Sequence, residues 1–536
     1  MKHHLFSYLH LAVLLLFGFL VDAWGGTSSA PAPLSGSPIP PEILAIMQKP
    51  RYSHATWALR VADLNSGTVI YNLNSDGLLL TGSVRKLFSV GVAINQLGAD
   101  HRFKTPVFRR GDVDATGTLN GDLVLVAKGD LTMGGRDNGD GTIAFTDFDH
   151  VDANALGSAI LTKPDPLAGL DKLAAQVRVA GIARVAGDVI VDARLFNQFR
   201  VPNQKLLITP IIVNDNLIDV TVIPTKPGQK ALVQWRPHTA AFTVTSDAMT
   251  VAEEGKTNIT LTPMGPHAGK VTGQIAVGFV PALPGVKTLV QTFRIDNPAT
   301  PQDPAAFART TFIEALERAG VTVRAPLVAP NPSDKLPPPN SYPANTQVAE
   351  LVSAPYSQYT KLILKISHNL GANLSLMLFA LTKGVRTIKD ALNVERTTLI
   401  DQYGLGGDGF DFPTNGSGSP DSRAAPATVA KLLTFMSGQK TFLPYFDSLP
   451  ILGEDGSLAE IGSESPAKGK VHAKTGTFLA NGVLAQVLAG YIDARSARRL
   501  VYALYVNNVA QITSIPDVID VFKDEGRISS IIYQLN

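Results

Sequence analysis

The chain reads Gly82-Ser83-Val84-Arg85-Lys86-Leu87-Phe88 directly after a short apolar run. Apolar residues continue at helical spacing to Leu97, and Gly98 is a typical helix stop, so a buried helix is predicted to begin at Ser83. Residues three apart share one face of a helix, so the amine of Lys86 can reach the hydroxyl of Ser83. Because a serine hydroxyl needs a base before it can attack, the spacing predicts Ser83 as a nucleophile and Lys86 as its base. A plain helix N-cap is the alternative interpretation of Ser83.

The spacing S-x-x-K occurs three times in this chain, so the pattern alone does not identify the nucleophile. The tetrapeptide Ser437–Lys440 contains a glycine, and Ser465–Lys468 lies in a polar stretch with a proline. Only the tetrapeptide that starts at Ser83 opens an apolar helix. A hydroxyl there gains from the positive end of the helix dipole, and burial lowers the pKa of a lysine from about 10.4.

Two further motifs follow Ser83 along the chain. Ser367-His368-Asn369 is the only S-x-N and lies at a break in a helical region, and Lys474-Thr475-Gly476-Thr477 holds the only K-T-G, in a short strand-like run. A lysine on an edge strand can bind a substrate carboxylate, and a glycine there lets an extended substrate approach closely. Each motif also has a plain interpretation, as a polar helix break and as a strand end. In the order S-x-x-K, S-x-N, K-T-G they form the set that recurs in penicillin-binding proteins and class A β-lactamases.

Length and composition limit the class of protein. The 536 residues are 45% hydrophobic and 17% charged, which predicts a globular protein of two or three domains. The formal net charge of +2 gives no case for nucleic-acid binding. Cysteine is absent, which excludes disulfides and cysteine nucleophiles and suits an oxidising compartment. No zinc motif occurs among the ten histidines, and Asp137–Gly141 fits a surface turn better than a calcium loop, so no metal or other cofactor is predicted.

The N-terminus predicts export. Lys2 precedes the apolar run Leu11–Val21, which is too short to span a bilayer comfortably, and Val21-Asp22-Ala23 offers small residues for a signal peptidase. We expect residues 1–23 to be a signal peptide, with an uncleaved membrane anchor as the alternative. Residues 24–41 are rich in Gly, Ser and Pro and are expected to be a flexible lead-in. The exported protein is expected in the periplasm or elsewhere in the cell envelope.

The remaining chain is predicted to be one α/β domain, cut into residues 42–104 and residues 296–536 by a β-rich insert. The insert, residues 105–295, consists of short apolar runs between Gly/Asp turns and is expected to form two domains, one nested in the other. The predicted elements include a β-hairpin over Trp57–Tyr71, helices over Ala168–Ala180 and from Asp303-Pro304 to Gly320, strands over Val483–Tyr491 and Arg499–Val506, and a C-terminal helix from Pro516.

The whole pattern resembles the low-molecular-mass class C penicillin-binding proteins, which are the D-alanyl-D-alanine carboxypeptidases/endopeptidases of the peptidase S13 family. The resemblance covers about residues 45 to 525. It rests on the three motifs and on Gly121–Leu125, Val185–Asp192, Asn415–Ser419 and Tyr505–Asn508. The gap of 284 residues between Ser83 and Ser367 (367 − 83) suits this family, which carries two extra domains there. The resemblance implies an α/β (α+β) fold, in which a transpeptidase-like domain with a central antiparallel sheet flanked by helices is interrupted by β-rich domains.

The resemblance also implies roles for single residues. Ser83 would form an acyl-enzyme with the carbonyl between two terminal D-alanines, and Lys86 would accept its proton. Ser367 would relay a proton to the leaving amine, and Asn369 would hold the substrate amide and Lys86. Lys474 and Thr475 would bind the terminal carboxylate, and Gly476 would let the peptide approach. The backbone N–H groups of Ser83 and Thr477 would form the oxyanion hole, and Lys474 would help to keep Lys86 neutral.

One departure and two alternative functions remain open. The family motif usually opens its glycine-rich stretch with Asp, where this chain has Asn415. A β-lactamase would need a deacylating water, but no glutamate is placed by a motif for that task. A catalytically silent scaffold that binds cell-wall components would not need the intact motifs. The expected partners are peptidoglycan peptides as substrate and β-lactams as inhibitors, and the sequence leaves the oligomeric state open.

Overall fold

A computed structural model describes residues 36–536. The predicted signal peptide, residues 1–23, and most of the predicted lead-in, residues 24–41, lie outside the described residues. No helix within residues 36–536 combines the length and the apolar character needed to cross a membrane.

The N-terminal segment contains the predicted hairpin and the predicted buried helix. Its turn is closed by Asp63, whose carboxylate accepts the backbone N–H of Ser66 at 2.8 Å. The hairpin is confirmed, and the helix continues to Leu97 before Gly98 ends it. The elements are α1 Pro41–Met47, β1 Thr56–Asp63, β2 Val69–Leu73, β3 Leu79–Leu80 and α2 Lys86–Leu97.

The middle segment, residues 104–352, is rich in short strands, as the sequence predicts. Its three helices are α3 Ala153–Leu156, α4 Ala168–Val179 and α5 Pro304–Arg318. Asp303 caps α5 by accepting the N–H of Ala305 at 3.0 Å, which confirms the predicted helix start. The strands are β4 Lys104–Val113, β5 Thr118–Val126, β6 Arg184–Val185, β7 Val189–Asp192, β8 Phe199–Arg200, β9 Leu207–Ile208, β10 Leu217–Ile223, β11 Leu232–Arg236, β12 Thr243–Ser246, β13 Met249–Val251, β14 Asn258–Pro263, β15 Ala268–Ala276, β16 Leu289–Arg294, β17 Thr322–Val323 and β18 Gln347–Val352.

The C-terminal segment begins with helices and ends with three long strands and one long helix. Both predicted strands and the predicted C-terminal helix are present. The helices are α6 Tyr356–Lys365, α7 Asn369–Thr382, α8 Ile388–Asp401, α9 Pro426–Ser437, α10 Phe442–Asp447 and α11 Ile515–Leu535, and the strands are β19 Phe410–Asp411, β20 Arg423–Ala424, β21 Val471–Ala480, β22 Val483–Asp493 and β23 Arg499–Val509.

The two ends of the chain share one sheet. Five antiparallel strands pair in the order β2-β1-β23-β22-β21, so β21 is an edge strand. Successive residues of β23 point to opposite faces: Leu504 belongs to a core shared with α1 and α11, and Tyr505 to a core shared with α2 and α7. This is the central antiparallel sheet flanked by helices that the resemblance implies.

The middle segment has its own sheets and its own core. A six-stranded sheet follows the order β17-β6-β5-β4-β18, with β7 also paired to β5, and a three-stranded sheet follows β11-β10-β16. A further four-stranded sheet is built on β15. Although residues 296–352 follow the predicted insert, α5 packs in the same core as these sheets, and β17 and β18 extend the six-stranded one. Packing with α2 and the central sheet resumes at α6, and the division into domains stays a prediction.

Candidate active site

Ser83 lies in a single 3₁₀ turn, Gly82–Arg85, that leads directly into α2. The turn touches the edge strand β21 backbone to backbone. Gly82 has φ +47°, and a Cβ there would lie 2.5 Å from the backbone nitrogen of Thr477. A Cβ on Gly476 would lie 2.1 Å from the carbonyl oxygen of Thr81. Two glycines therefore allow this close approach, and a side chain at either position would separate the turn from the strand.

Lys86 is fully buried, and its Nζ is surrounded by oxygen atoms. It lies 2.6 Å from Oγ of Ser83, 2.7 Å from Oδ1 of Asn369, 3.1 Å from the carbonyl oxygen of Ser417 and 3.3 Å from Oγ of Ser367. The hydroxyl of Ser83 thus faces this amine and caps neither the turn nor α2, which disfavours the N-cap interpretation.

The charge state of Lys86 follows from its surroundings. Burial and the nearby positive charge of Lys474 hold the pKa of Lys86 well below its usual value, against the opposing effect of Asp152. A neutral amine has two N–H groups and one lone pair. The side-chain oxygen of Asn369 and the carbonyl of Ser417 can only accept, so they take the two N–H groups. The lone pair is then left for the hydroxyl of Ser83, and this arrangement can remove the serine proton.

The S-x-N motif lies where the sequence places a helix break, between α6 and α7. Ser367 has φ +61°, in the left-handed region that costs energy for a residue with a side chain. His368 caps α7, since its Nδ1 accepts the backbone N–H of Gly371 at 2.9 Å. Asn369 opens α7. The motif therefore presents Ser367 and Asn369 to Lys86 from either side of a buried histidine.

The K-T-G motif lies on the edge strand β21, beside Ser83. Lys474 is fully buried, and burial lowers its pKa to about 7, with Asp152 acting in the opposite direction. Its Nζ donates to the carbonyl of Thr475 at 2.8 Å. The hydroxyl of Thr475 lies 2.7 Å from the hydroxyl of Ser457, which is on the loop before the strand. Two donors that suit a carboxylate therefore stand next to the nucleophile.

Asp152 is an acidic residue of the site that belongs to the middle segment. Burial raises the pKa of its carboxyl to about 6, against the attraction of Lys86. It lines a cavity of about 340 Å³, together with Asp215, Arg294, His368 and Asn369. The described residues hold no group of three or more His, Cys, Asp or Glu side chains that could bind a metal ion.

Comparison with known proteins assigns this arrangement to a family. A family model described as the D-Ala-D-Ala carboxypeptidase 3 (S13) family matches residues 41–525. The chain belongs to this family. It is therefore a serine peptidase, a hydrolase of the D-Ala-D-Ala carboxypeptidase type, as the sequence resemblance implies.

Individual relatives of the S13 chain agree with this assignment. It is 28% identical over 505 residues to a D-alanyl-D-alanine carboxypeptidase of Actinomadura sp. (strain R39), which covers 87% of this chain and 81% of that protein. Its fold matches two crystal structures of penicillin binding protein 4 from Haemophilus influenzae, the second of them in complex with a β-lactam, with TM-scores of 0.66 and 0.63. Each match is 18% identical and covers 92% of this chain and 99% of the other.

The structure brings the predicted residues of this S13 peptidase to one place and leaves the other S-x-x-K serines elsewhere. Ser437 ends α9, and its hydroxyl donates to the carbonyl of Thr434 at 2.7 Å. Ser465 lies in the loop before β21, with its hydroxyl 3.0 Å from that of Ser530. Among the described residues neither serine makes a hydrogen bond to a lysine amine, whereas Ser83 does so within its own motif.

Asn415 replaces the usual Asp of the S13 glycine-rich stretch, and the structure shows what an amide does there. It is fully buried, and its Oδ1 accepts the backbone N–H groups of Ser417 and Gly418 at 2.8 and 2.7 Å. Its Nδ2 donates to the carbonyl of Ser419 at 3.1 Å and to the hydroxyl of Thr414 at 2.9 Å. Both the oxygen and the nitrogen of the amide therefore have hydrogen-bond partners. These bonds fix the loop whose Ser417 carbonyl contacts Lys86.

Sequence reasoning did not identify several residues around this site. The carbonyl of Ser417 contacts Lys86. Ser417 lies in Asn415–Ser419, a stretch that supports the family resemblance but for which the sequence predicts no role in the site. Ser457, Asp152 and Asp215 stand outside every motif, and only the tertiary fold brings them to the site. For Ser457 no signal in the sequence could have found it, because a serine in a polar loop is ordinary.

Proposed function

We propose that this protein is a serine-type D-Ala-D-Ala carboxypeptidase and/or DD-endopeptidase that acts on peptidoglycan stem peptides through an acyl-enzyme on Ser83. The observation that carries the proposal is the 2.6 Å separation between Oγ of Ser83 and Nζ of a buried Lys86 whose pKa is held well below its usual value. Nucleophile and base lie within direct hydrogen-bond reach, and burial and the charge of Lys474 favour the proton-accepting form of the base.

Acylation begins with a proton transfer. Lys86 takes the hydroxyl proton of Ser83, and Oγ forms a bond to the carbonyl carbon between the two terminal D-alanines. The carbonyl oxygen becomes an oxyanion, which the backbone N–H groups of Ser83 and Thr477 stabilise. The close contact between the Gly82–Arg85 turn and β21 supports this pair, because an added Cβ on Gly476 would lie 3.2 Å from the nitrogen of Ser83.

Collapse of this intermediate breaks the C–N bond of the scissile peptide. The proton passes from Lys86 through the hydroxyl of Ser367 to the departing amine, which leaves as D-alanine or as the amine of a cross-linked peptide. The 3.3 Å between Nζ of Lys86 and Oγ of Ser367 supports this relay. Water then attacks the ester carbon, and Ser83 recovers its proton. Asn369 holds Lys86 and the substrate amide during both steps.

Substrate binding is assigned to the edge strand. The charged form of Lys474 and the hydroxyl of Thr475 bind the terminal carboxylate, while the backbone of residues 474–477 lies along the extended peptide. Gly476 keeps the strand free of a side chain at the point of closest approach. The position of β21 at the edge of the sheet supports this mode of binding.

The same site would form a stable ester with β-lactams, which resemble the carboxylate-ended peptide. A homologous fold crystallised with a β-lactam supports this part of the proposal. Peptidoglycan lies outside the cytoplasm, so the proposal includes export to the periplasm or cell envelope, in agreement with the signal peptide predicted for residues 1–23.

The test uses purified protein, a fluorescent penicillin, a pentapeptide ending in D-Ala-D-Ala and cross-linked muropeptides. We expect a stable penicillin adduct and release of D-alanine or cleavage of cross-links, all lost in S83A. The variant S465A is the matched control, since it removes the serine of another S-x-x-K and should behave as wild type. Rapid turnover of the penicillin would instead indicate a β-lactamase. Absence of any adduct or product in the wild type would overturn the proposal.

A further inference from the structure

A buried cluster of six charged side chains lies in the middle segment, directly behind the S-x-N motif. Three acids and three bases balance one another in charge. The acids are Asp149, Asp215 and Asp219, and the bases are Arg136, His150 and Arg236. Most of these side chains are cut off from solvent, so each must be held by its partners. The cluster is therefore a rigid, fully paired network.

Asp215 is the member of the cluster that reaches the active site. Its Oδ2 accepts from Arg136 and from Nε2 of His150, each at 2.7 Å. Its Oδ1 accepts from Nε2 of His368 at 3.0 Å. Burial opposes its ionisation, but Arg136 and these hydrogen bonds hold the pKa of Asp215 well below its usual value. One carboxylate therefore joins the cluster to the central residue of Ser367-His368-Asn369.

His368 has one fixed orientation. Its Nδ1 accepts the backbone N–H of Gly371, so the ring hydrogen is on Nε2 and points at Asp215. The imidazole is fully buried between these two partners. Because its neighbours in the chain are Ser367 and Asn369, a shift of the His368 backbone would move both side chains that contact Lys86.

The backbone is strained on both sides of this hydrogen bond. Asn214, Asp215 and Asn216 have φ values of +50°, +53° and +56°, three successive residues in the left-handed region. Ser367, next to His368, has φ +61°. Such conformations are unfavourable for residues with a side chain and persist where the surroundings hold them, often at functional sites. The strained turn presents Asp215, and the strained motif presents Ser367.

We propose that Asp215 and His368 form a positioning pair, through which the middle segment holds Ser367 and Asn369 in reach of Lys86. This inference rests on the proposed function and adds a residue of the middle segment to its machinery. Asp215 touches neither Ser83 nor Lys86 and acts only through His368. The relay contact from Lys86 to Ser367 is already 3.3 Å long, so a shift of the motif by a fraction of an ångström would break it.

The test compares acylation by a fluorescent penicillin and turnover of a D-Ala-D-Ala pentapeptide in D215N, H368N and the double variant. Asparagine still caps a helix but cannot reach Asp215, so H368N keeps the start of α7 and loses the pair. We expect each single variant to lose acylation rate on the order of a hundredfold, as small misplacements of catalytic groups do. The double variant should be no slower than the singles, since one contact is removed twice. The kcat should fall by more than KM rises, because Lys474 and Thr475 are not displaced and only the hold of Asn369 on the substrate amide is weakened.

D188N is the matched control. Asp188 is another acid of the middle segment that pairs with a buried arginine, Arg309, at 2.6 Å, and it makes no hydrogen bond to the S-x-N motif. D188N should lower the melting temperature while acylation continues at the wild-type rate. If D215N does not fold, H368N alone decides the question.

Three results would count against the positioning pair. Wild-type acylation rates in D215N or H368N would overturn it, as would an effect of D188N equal to that of D215N. Additive losses in the double variant would show that the two residues act separately. If wild-type protein is not acylated at all, the proposed function fails first and the inference fails with it.

Discussion

The hydroxyl of Ser457 lies 2.7 Å from the hydroxyl of Thr475. The loop that carries Ser457 is anchored by the two residues that precede this serine. The N–H of Gly456 donates to Asp147 at 2.7 Å, and Asp455 pairs with the buried Lys365 at 2.6 Å. If Ser457 donates to Thr475, the single hydrogen of the Thr475 hydroxyl is left to point away from Ser457 and can donate to a carboxylate. The proposed carboxylate site is thus oriented by a residue outside the three motifs.

Replacing Ser457 with alanine should weaken binding of carboxylate-ended peptides. The loop should stay in place on its other anchors, so the loss should be confined to the orientation of Thr475. We expect kcat/KM to fall by about fivefold, equivalent to one ordinary hydrogen bond of about 1 kcal/mol. Steady-state kinetics with a pentapeptide measure it, and S463A, at an exposed serine of the next loop, should leave kcat/KM unchanged. An unchanged kcat/KM in S457A would show that Thr475 needs no second hydroxyl.

The rate should depend on pH through Lys474, whose pKa burial lowers to about 7. Below this value the amine is charged and can bind a carboxylate, and above it the amine is neutral. We therefore expect kcat/KM for a peptide with a free terminal carboxylate to decrease as pH rises through about 7. The corresponding peptide amide is the control and should lack this decrease. An identical decrease for both peptides would assign the titration to another group.

Glu525 should make the folded protein less stable as pH rises above the acidic range. It is fully buried in α11, and neither carboxylate oxygen has a hydrogen-bond partner among the described residues. Burial and the neighbouring Asp524 raise its pKa well above the usual value. The folded protein keeps a proton that the unfolded chain releases above about pH 4.3, so stability falls as pH rises beyond that point.

The variant E525Q cannot ionise and should remove this pH dependence. We expect its free energy of unfolding to exceed that of wild type by as much as about 3 kcal/mol at pH 7, with little difference at pH 4. Urea denaturation at both pH values measures the difference. E460Q changes an exposed glutamate and should have no such effect. Equal stability of E525Q and wild type at pH 7 would mean that Glu525 finds a partner in solution.

Asn415→Asp should be harmful even though it restores the residue that the family usually has. A carboxylate would place an acceptor against the carbonyl of Ser419, which now accepts from Nδ2 of Asn415 at 3.1 Å. We expect a loss of about 1–3 kcal/mol in the free energy of unfolding, as for other buried groups left without a partner. Penicillin acylation should also slow, because Ser417 contacts Lys86. N393D, at an exposed position of α8, is the control, and full stability of N415D would show that the loop adapts.

Local signals predicted most of the elements, and the reasons are visible in single residues. Asp303 and Pro304 start α5, Gly98 ends α2, and the turn at Ser66 closes the hairpin. These features act over a few residues, so a sequence window contains them. The long buried strands β22 and β23 are recognisable because both of their faces are apolar.

Contacts between distant parts of the chain had no such signal. The strands β17 and β18 are short, and their partners β6 and β4 lie far earlier in the sequence. Asp215 meets His368 across 153 positions, and neither residue stands in a periodic pattern. The contact made by the Ser417 carbonyl could not be predicted for a different reason. Every residue has a backbone carbonyl, so the residue type gives no sign of such a contact.

The pairing of β1 with β23 determines when the active site can be completed during folding. Trp57 pairs with Val506, so the sheet that supports the active site joins an early part of the chain to a late one. β1 and the turn that holds Ser83 are synthesised early. They cannot pack in the central sheet until β21, β22 and β23 have been synthesised. Such distant pairing makes folding slow and leaves apolar strands exposed meanwhile. A nascent chain would therefore hold its nucleophile without the strand that recognises the substrate, and hydrolysis could start only once the last strands had joined the sheet.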